Sequence, residues 1–495
     1  MSQPNLAPYA DTHPGTRRPV ADVHVSLVGR SNLTEQIYRQ LKETIERGGL
    51  RPGDTLPSSR ELGRRLDVSR NTVVNAYLRL AADGLVKGRA GSGYQVLSRP
   101  RRLRAVRPGT GGALQPQPVW ERVYSPPNLA ADKPEFDFRP GIPDVSGFPF
   151  ATWRALLNDE FRASAVGRGV YGEPLGRPEL REAIARHVMV SRQVVTEPEE
   201  VVVTNGAQQA LDLILRVLAA PGDTVVVEDP GYRPVRHLLH SHGLRAHPVP
   251  VDEEGLVVDL LPTDAKLVYV TPTHQFPLGM TMSLERRHQL LEWASRTGAA
   301  IIEDDYDSEF RFAGRPLEPL QAIDEERRVV YVGSFSKAML PTLRLGFVVA
   351  PPQLLDAFRK AKFLSDWQTS ENIQGALAAF IDRGCLAQHL RRMRRRYADR
   401  HRRIEAHLRG DLGHWLEPIP AQGGIHLAAR LRNVVVPDER VARAAARAGI
   451  GLQPSSYYAA RPLRPGHLVL GYGGIPEDRI RTGMSRLRDV LRRCC

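Results

Sequence analysis

The chain has 495 residues, with 69 lysines and arginines against 55 acidic residues, so its formal net charge is +14. This basic excess suits a polyanionic partner, although an arginine-rich proteome would produce the same balance. Three cysteines, Cys385, Cys494 and Cys495, provide neither a disulfide framework nor a metal-ligand spacing. No run approaches the roughly 18 apolar residues of a membrane span and no signal-peptide core is present, so we expect a cytoplasmic protein without a metal site.

The N-terminal region begins with a low-complexity segment and continues into two helices. Residues 1–22 are rich in proline, threonine and arginine, and this composition predicts disorder. In residues 33–41 the apolar residues recur at helical spacing, which predicts a helix. A shorter helix is predicted over residues 58–66, with Ser58 as its N-cap and Glu61 three residues later, as in a capping box.

A third helix is predicted over residues 69–80, where one apolar stripe faces inward. Arg70, Asn71 and Thr72 lie at its exposed N-terminal end. In a helix-turn-helix, this end of the second helix meets base edges in the major groove. The pattern therefore favours a DNA-binding module.

A small hairpin is predicted over residues 84–96, with Lys87 and Arg89 at its tip. Such a wing would contact phosphates or the minor groove. The alternative for these elements is a three-helix protein-interaction module with an ordinary solvated face.

The amino-acid sequence of this region resembles the winged helix of the GntR family. The similar stretches are PSSREL at 57–62, VSRNTV at 68–73, Ala-Tyr at 76–77 and DGL at 83–85. The resemblance implies a DNA-binding domain over residues 23–98, with Arg60 and Gly91 as further contacts. The complete set of candidate DNA contacts is Arg60, Arg70, Asn71, Thr72, Tyr77, Lys87, Arg89 and Gly91.

A basic stretch rich in proline and glycine, residues 99–135, follows this domain. Its composition predicts a flexible linker. The linker arginines could contact DNA phosphates, which would add salt-sensitive affinity but no sequence specificity.

Residues 201–211 read as a strand, a turn of small residues and a helix. Gly206, Ala207 and Gln208 begin that helix, and free backbone amides at a helix start suit a phosphate dianion. Taken alone this signal is weak, because every strand-turn-helix unit produces it.

Two later loops follow valine-rich strands. In the first loop, Tyr232 could stack on the pyridine ring of a ligand. In the second loop, Gln275 or His274 could hydrogen-bond a hydroxyl group on that ring. Prolines and glycines in these loops are also ordinary turn signals.

The apolar strand that starts at Ile301 ends in two carboxylates and a phenol. Residues two apart on a strand face the same side, so Asp304 and Tyr306 can address one ligand while Asp305 points away. Pyridoxal phosphate requires such a pair, a carboxylate for its ring nitrogen and a phenol beside its ring hydroxyl. The alternative is a helix N-cap or a solvated acidic turn.

A lysine, Lys337, lies on the connection between two predicted strands, and loops at strand ends often carry functional groups. Ser334, Ser336 and Arg344 flank it and could close a phosphate site, for which an arginine offers a suitable fork of donors. Considered alone, Lys337 could equally be a surface lysine.

The ordered set of these strand-end motifs resembles the fold type I aminotransferases from Phe138 to the C-terminus. The resemblance implies that Lys337 forms the Schiff base with pyridoxal phosphate, and that Ser334 and Arg344 bind its phosphate. It also implies that Tyr171 reaches the phosphate site of a neighbouring subunit, which makes the protein a homodimer with shared sites. We expect this effector domain, residues 136–495, to be an α/β fold with a smaller C-terminal α/β lobe.

A GntR-like winged helix (α+β) ahead of an aminotransferase-like domain resembles the MocR/GabR-type transcriptional regulators. This resemblance implies a regulator in which pyridoxal phosphate, bound as an aldimine and with or without an amine or amino-acid ligand, modulates operator binding. One departure from the enzyme pattern is an aliphatic residue, Val469, where many aminotransferases carry a substrate-binding arginine; Arg461 or Arg464 could compensate. The alternatives are an active aminotransferase that carries a DNA-binding domain and a DNA-binding protein with a decayed cofactor domain.

Overall fold

The computed structural model of the chain describes residues 23–89, 93–97, 114–125, 133–162, 170–312, 314, 318–433, 435–461 and 463–494. It divides into two compact units, Met1–Gln115 and Pro116–Cys495. The segment 1–22, which we expected to be disordered, and much of the expected linker lie outside the described residues. In the described part of the chain, no helix is long and apolar enough to cross a membrane.

The N-terminal unit contains three helices and a hairpin, as the sequence predicted. The helices are α1 (Leu33–Glu46), α2 (Ser59–Arg65) and α3 (Arg70–Ala82), and the antiparallel strands are β1 (Val86–Arg89) and β2 (Gly93–Val96).

The two short helices begin at serine caps and meet at a glycine. Ser58 Oγ accepts from the backbone N–H of Glu61 at 3.2 Å, and Ser69 Oγ accepts from that of Thr72 at 3.1 Å. A Cβ on Gly63 would lie 3.1 Å from the carbonyl oxygen of Val68. Because this contact is tighter than side chains normally make, the close turn between α2 and α3 favours glycine at that position.

Tyr77, one of the expected DNA contacts, is buried in the N-terminal unit. Its side chain is 1% exposed, its hydroxyl donates to the carbonyl oxygen of Pro57 at 2.9 Å, and its ring meets the edge of Tyr94 at 5.1 Å. Tyr77 therefore belongs to the core and is not available to DNA. Gly91 lies outside the described residues, and only the backbone of Arg89 is described, within β1.

The C-terminal unit begins earlier than the sequence led us to expect. Its boundary is at Pro116 rather than at residue 136, because helix α4 (Val119–Arg122) packs against the helix Arg233–Ser241 within this unit. Part of the expected linker is thus built into the effector unit. Strand β3 (Phe136–Asp137) follows.

An eight-stranded sheet forms the centre of this unit. Its strands are β4 (Val201–Thr204), β5 (Thr224–Asp229), β6 (Arg245–Asp252), β7 (Gly255–Leu256), β8 (Leu267–Val270), β9 (Ala300–Asp305), β10 (Val329–Ser334) and β11 (Gly346–Val349), in the order β4-β11-β10-β9-β8-β5-β6-β7. The run from β10 to β6 is parallel, whereas β11 is antiparallel to both of its neighbours.

Helices cover both faces of this sheet. They are α5 (Phe150–Glu160), α6 (Pro178–Arg192), α7 (Ala207–Leu218), α8 (Arg233–Ser241), α9 (Leu284–Thr297), α10 (Phe335–Ala338), α11 (Leu355–Asp366) and α12 (Glu371–Asp382). Val225 and Val227 of β5 join a core with α7 and α8, while Val226 joins another with α9. This burial on both faces explains the valine-rich strands, since parallel strands have no solvated side.

A smaller α/β lobe completes the chain. Its helices are α13 (Cys385–Arg409), α14 (Asp438–Arg447) and α15 (Glu477–Cys494), and its strands are β12 (Leu416–Pro418), β13 (His426–Leu431), β14 (Ile450–Gly451), β15 (Gln453–Pro454) and β16 (His467–Gly471). The antiparallel sheet has the order β12-β13-β16-β15, and β14 pairs with β3. The expected fold class is confirmed.

Replacing Tyr77 by alanine is expected to destabilise the N-terminal unit by roughly 3 to 5 kcal/mol, the usual cost of deleting a large buried aromatic side chain. Tyr77→Phe removes only the hydrogen bond to Pro57 and should cost about 1 kcal/mol. Hydrogen–deuterium exchange of the full-length protein over residues 33–89 measures both effects, with the exposed Leu78→Ala as control. A Tyr77→Phe variant that loses DNA affinity while its exchange is unchanged would contradict the burial argument.

Candidate functional site

A cavity of about 920 Å³ opens in the C-terminal unit at the carboxyl ends of the parallel strands. Most of the residues that the sequence singled out for a cofactor line it. They are Ala207, Gln208, Tyr232, Asp304, Tyr306, Ser334, Ser336, Lys337 and Arg344. Gly206, Gln275 and Tyr171 are not among the lining residues.

Lys337 lies in the short helix α10, directly after β10. Its Nζ donates a hydrogen bond to the carbonyl oxygen of Gly141 at 2.7 Å. Burial lowers the pKa of Lys337, an effect that the carboxylates of Asp307 and Asp304 only partly offset. Because burial disfavours the ammonium form, Lys337 loses its proton more readily than a free lysine, and the neutral amine is the form that attacks a carbonyl carbon.

Asp304, one residue before the end of β9, has a buried carboxyl group with a hydrogen-bond partner for only one of its oxygens. Its side chain is 5% exposed, and Oδ2 accepts from the hydroxyl of Tyr269 at 2.7 Å, while Oδ1 is buried with no hydrogen-bond partner among the described residues. Burial raises the pKa of Asp304 to about 7. A cationic N–H donor in the cavity would satisfy Oδ1 and favour the carboxylate form.

The neighbouring carboxylate, Asp305, points to the other face of the sheet. Its Oδ2 accepts from Nε of Arg192 at 2.7 Å and from the hydroxyl of Tyr331 at 2.6 Å. The alternation expected from the sequence is therefore present, and only Asp304 faces the cavity.

Tyr306 also lines the cavity, and its hydroxyl donates to the carbonyl oxygen of His274 at 2.9 Å. Nδ1 of His274 in turn lies 3.0 Å from a carboxylate oxygen of Asp307. Burial raises the pKa of Tyr306 well above its usual range. The phenol is therefore neutral, and its hydrogen bond to His274 fixes its position.

The start of helix α7 and Arg344 form the walls of an anion pocket. Gly206 adopts φ 78°, and a Cβ there would lie 3.0 Å from Nη2 of Arg344. Arg344 donates from Nη2 to the carbonyl oxygen of Asn205 at 3.0 Å. Ser334 Oγ accepts from the backbone N–H of Ser336 at 3.1 Å. Helix amides, two hydroxyls and a guanidinium on one cavity wall suit a phosphate.

Gln275 differs from the sequence expectation. It is 1% exposed, its Nε2 donates to the carbonyl oxygens of Pro230 at 2.9 Å and Phe276 at 2.7 Å, and its Oε1 accepts from the backbone N–H of Leu278 at 3.1 Å. These bonds occupy the amide in bracing the loop, so Gln275 does not address the cavity. Tyr232 does line it, with its ring meeting the edge of Phe276 at 5.8 Å.

Tyr171 lies away from the cavity on the surface. It is 71% exposed and stacks on Trp367 with ring centroids 4.4 Å apart. Its expected contact with a partner subunit stays a prediction. Val469 is buried in β16, whereas Arg461 and Arg464 are exposed and do not line the cavity.

Several lining residues escaped the sequence argument. Gly141 meets Lys337 from 196 residues away, a distance across which local patterns carry no signal. Tyr269 was detectable in principle, since it lies on β8, the strand that pairs with β9. The others that were missed include Thr271, Phe276, His426, Tyr457 and Tyr458, together with Trp120, Val123 and Tyr124 from the expected linker.

In the N-terminal unit, two of the expected DNA contacts, Arg60 and Arg70, line one shallow depression together with Arg64, which the sequence had not singled out. Asn71 at the start of α3 and Lys87 on β1 are exposed. Thr72 is half-buried, with its Oγ1 2.8 Å from Oγ of Ser69, so it helps to cap α3. The exposed arginines give this end of α3 the charge that phosphate contact requires.

The residues of the cavity fit pyridoxal phosphate. A buried lysine with a lowered pKa suits the aldehyde, the unpaired buried oxygen of Asp304 suits the pyridine N–H, and the pocket beside Arg344 suits the phosphate. These three residues line the same cavity, so one bound cofactor can contact all of them.

Two family models match the chain. The gntR family of bacterial regulatory proteins matches residues 33–96. Aminotransferase class I and II matches residues 141–487.

Named bacterial regulators are similar to the chain over nearly its whole length. The probable rhizopine catabolism regulatory protein MocR of Rhizobium meliloti is 38% identical over 92% of this chain and 93% of its own length. The HTH-type pyridoxine biosynthesis transcriptional regulator PdxR of Corynebacterium glutamicum is 32% identical over 93% of this chain and 96% of its own length.

Solved structures resemble the C-terminal unit. Pyrococcus horikoshii kynurenine aminotransferase, in complex with PMP, has a TM-score of 0.68 and 28% identity, covering 74% of this chain and 92% of its own. The α-aminoadipate aminotransferase LysN of Thermus thermophilus, complexed with N-(5'-phosphopyridoxyl)-L-leucine, has a TM-score of 0.66 and 27% identity, covering 72% and 92%.

The lowered pKa of Lys337 predicts how uptake of pyridoxal phosphate depends on pH. Only the neutral amine attacks the aldehyde, so the uptake rate should rise with pH and level off below the ordinary lysine value of about 10.5. Stopped-flow absorbance of the apoprotein mixed with the cofactor measures this profile, with free N-acetyl-lysine as control. A midpoint equal to that of the control would contradict the effect of burial.

Proposed function

Because the chain belongs to the MocR-type transcriptional regulators, in which a gntR-family DNA-binding domain precedes an aminotransferase class I and II domain, we propose that pyridoxal phosphate held at Lys337 controls its binding to operator DNA. The observation that carries this proposal is the unpaired buried oxygen of Asp304 in the cavity that also holds Lys337. A site with that deficit is completed by a cationic ligand.

Pyridoxal phosphate is the cofactor that this site takes. When bound, it supplies an aldehyde carbon that forms a Schiff base with an amine. Lys337 would provide the amine, Asp304 would accept from the ring N–H, and Tyr232 would pack on the ring. The phosphate would be held by Arg344, Ser334, Ser336 and the amides at the start of α7, and Tyr306 would bind the ring hydroxyl.

Regulation is favoured over turnover by the named regulators that are similar to this chain over more than nine tenths of its length. Arg461 and Arg464 are exposed outside the cavity, and Val469 is buried in β16. The arginines that do line the cavity, Arg216, Arg233 and Arg344, come from other elements than the C-terminal strand. A ligand can shift a regulator only through its different affinities for two states, so the proposal requires that cofactor, alone or with an amine effector, favours one DNA-binding state.

We also propose that the protein acts as a homodimer. Tyr171, Val170 and Leu364 are exposed beside Trp367, and an exposed cluster of apolar side chains is typical of an interaction surface. Two winged helices in one dimer would recognise two half-sites.

The response to cofactor is tested by titrating the DNA upstream of the native gene with apoprotein and with cofactor-loaded protein. We expect the two affinities to differ by at least about fivefold, the lower range of measured coupling between sites. Lys337→Ala should lose both the visible absorption band and the response, and should bind DNA as the apoprotein does. Equal affinities for apo and loaded wild-type protein would overturn the proposal, and sustained keto-acid formation from amino donors would favour the enzyme.

The placement of the DNA-reading end is tested by Arg70→Ala. Loss of an arginine contact to a base edge should weaken specific binding by roughly 1 to 3 kcal/mol and leave the visible band unchanged. Arg47→Ala, at the far end of α1, is the matched control and should bind normally. Unaltered affinity in Arg70→Ala, measured by fluorescence anisotropy, would remove α3 from the interface.

A further inference from the structure

The end of the expected linker forms one wall of the cofactor cavity. Trp120, Val123 and Tyr124, in and just after helix α4, line the same cavity as Lys337 and Asp304. The boundary between the two units lies only a few residues earlier in the sequence, between Gln115 and Pro116. A group that touches this wall therefore touches the first helix of the effector unit.

Aromatic and cationic contacts hold the wall in place. The guanidinium of Arg233 lies 4.3 Å from the ring centre of Tyr124 and 4.6 Å from that of Tyr457. The ring of Tyr124 also stacks on that of His237, with centroids 6.0 Å apart. Nε of Arg233 donates to Nε2 of His237 at 3.2 Å. In this stack Tyr124 connects the linker to helix α8 and, through Arg233, to the C-terminal lobe.

The hold on the wall is weak enough to respond to a ligand. Trp120 is 58% exposed, and the backbone N–H of Tyr124 donates only a long hydrogen bond, 3.5 Å, to Nδ1 of His237. Stacking and cation–π contacts are individually small interactions. A ligand that adds contacts here can therefore change the position of this wall.

The cavity has room for a ligand against this wall. Its volume of about 920 Å³ lies near the top of the range of roughly 300–1,000 Å³ for small-molecule sites. The groups that suit the cofactor are Lys337, Asp304 and Arg344, and none of them belongs to the wall. The space beside Trp120 and Tyr124 is therefore left for a group attached to the cofactor or bound beside it.

Resting on the proposed function, we propose that Trp120 and Tyr124 are effector-contact residues, and that the effector is an amine with an aromatic or extended apolar body. The amine group of the effector binds at the cofactor, beside Lys337. Its apolar body packs on the rings of Trp120 and Tyr124. Occupancy of the cavity thereby acts on the linker directly. No rearrangement of the whole effector unit is required.

The contact is tested with two stable, unreactive probes, N-(5'-phosphopyridoxyl)-L-phenylalanine and N-(5'-phosphopyridoxyl)-L-alanine, by calorimetry on the full-length apoprotein. Wild type should bind the phenylalanine probe about three- to tenfold more tightly, the effect of one aromatic contact. Trp120→Ala and Tyr124→Ala should lose this preference, and Tyr124→Phe should keep it. Trp415→Ala, in the C-terminal lobe away from the cavity, is the matched control. An unchanged preference in both alanine variants would overturn the proposal.

The coupling is tested by DNA titrations of the same proteins with and without the phenylalanine probe. Addition of the probe should change the DNA affinity of Tyr124→Ala by less than about a third of the change seen in wild type. An equal response in wild type and Tyr124→Ala would overturn the linker's role and leave the proposed function intact. A wild type that ignores every ligand would overturn the proposed function, and the calorimetry would then decide the contact alone.

Discussion

The parallel pairing of β5, β8, β9 and β10 is the constraint on which the site depends. Parallel strands end at a common edge, so Thr271, Asp304 and Ser334 come together although they are far apart in the chain. The register places Asp304 opposite Val332, two residues before the strand end at Ser334. The short helix α10 then turns Lys337 back over that edge. Every functional group described for the cavity is positioned relative to this sheet edge.

The two carboxylates at this sheet edge, Asp304 and Asp305, differ in their hydrogen bonding. Asp305 is fully paired with Arg192 and Tyr331 on one face of the sheet, and it contributes to the fold. Asp304, one residue earlier, keeps an unpaired oxygen on the other face. A buried polar atom without a partner is costly, and that cost is offset when a suitable ligand binds. The same strand therefore carries one structural carboxylate and one that needs the cofactor.

The linker joins this site to the DNA-reading unit in a way that its composition concealed. Proline, glycine and arginine predict a flexible tether, yet Tyr124 is anchored by Arg233 and His237. The anchoring rings come from helix α8 and from the C-terminal lobe, so local composition could not reveal them. Trp120, Val123 and Tyr124 of this segment thus line the ligand cavity. This matters because only a wall can sense what occupies the cavity.

Sequence by itself determined the two-domain organisation and the helix with the serine cap at Ser69, because helical spacing, strand alternation and capping are local rules. The resemblance to the aminotransferases supplied the roles expected of Lys337, Asp304 and Arg344. The sequence assigned Tyr77 to DNA and Gln275 to the cofactor. Both side chains are instead buried and hydrogen-bonded to another segment of the chain, Tyr77 to Pro57 and Gln275 to Pro230. Only the tertiary structure decided that Gly141 meets Lys337 and that Trp120 and Tyr124 line the cavity. Such contacts join residues more than a hundred positions apart, and a linear pattern carries no information about which distant surfaces will meet.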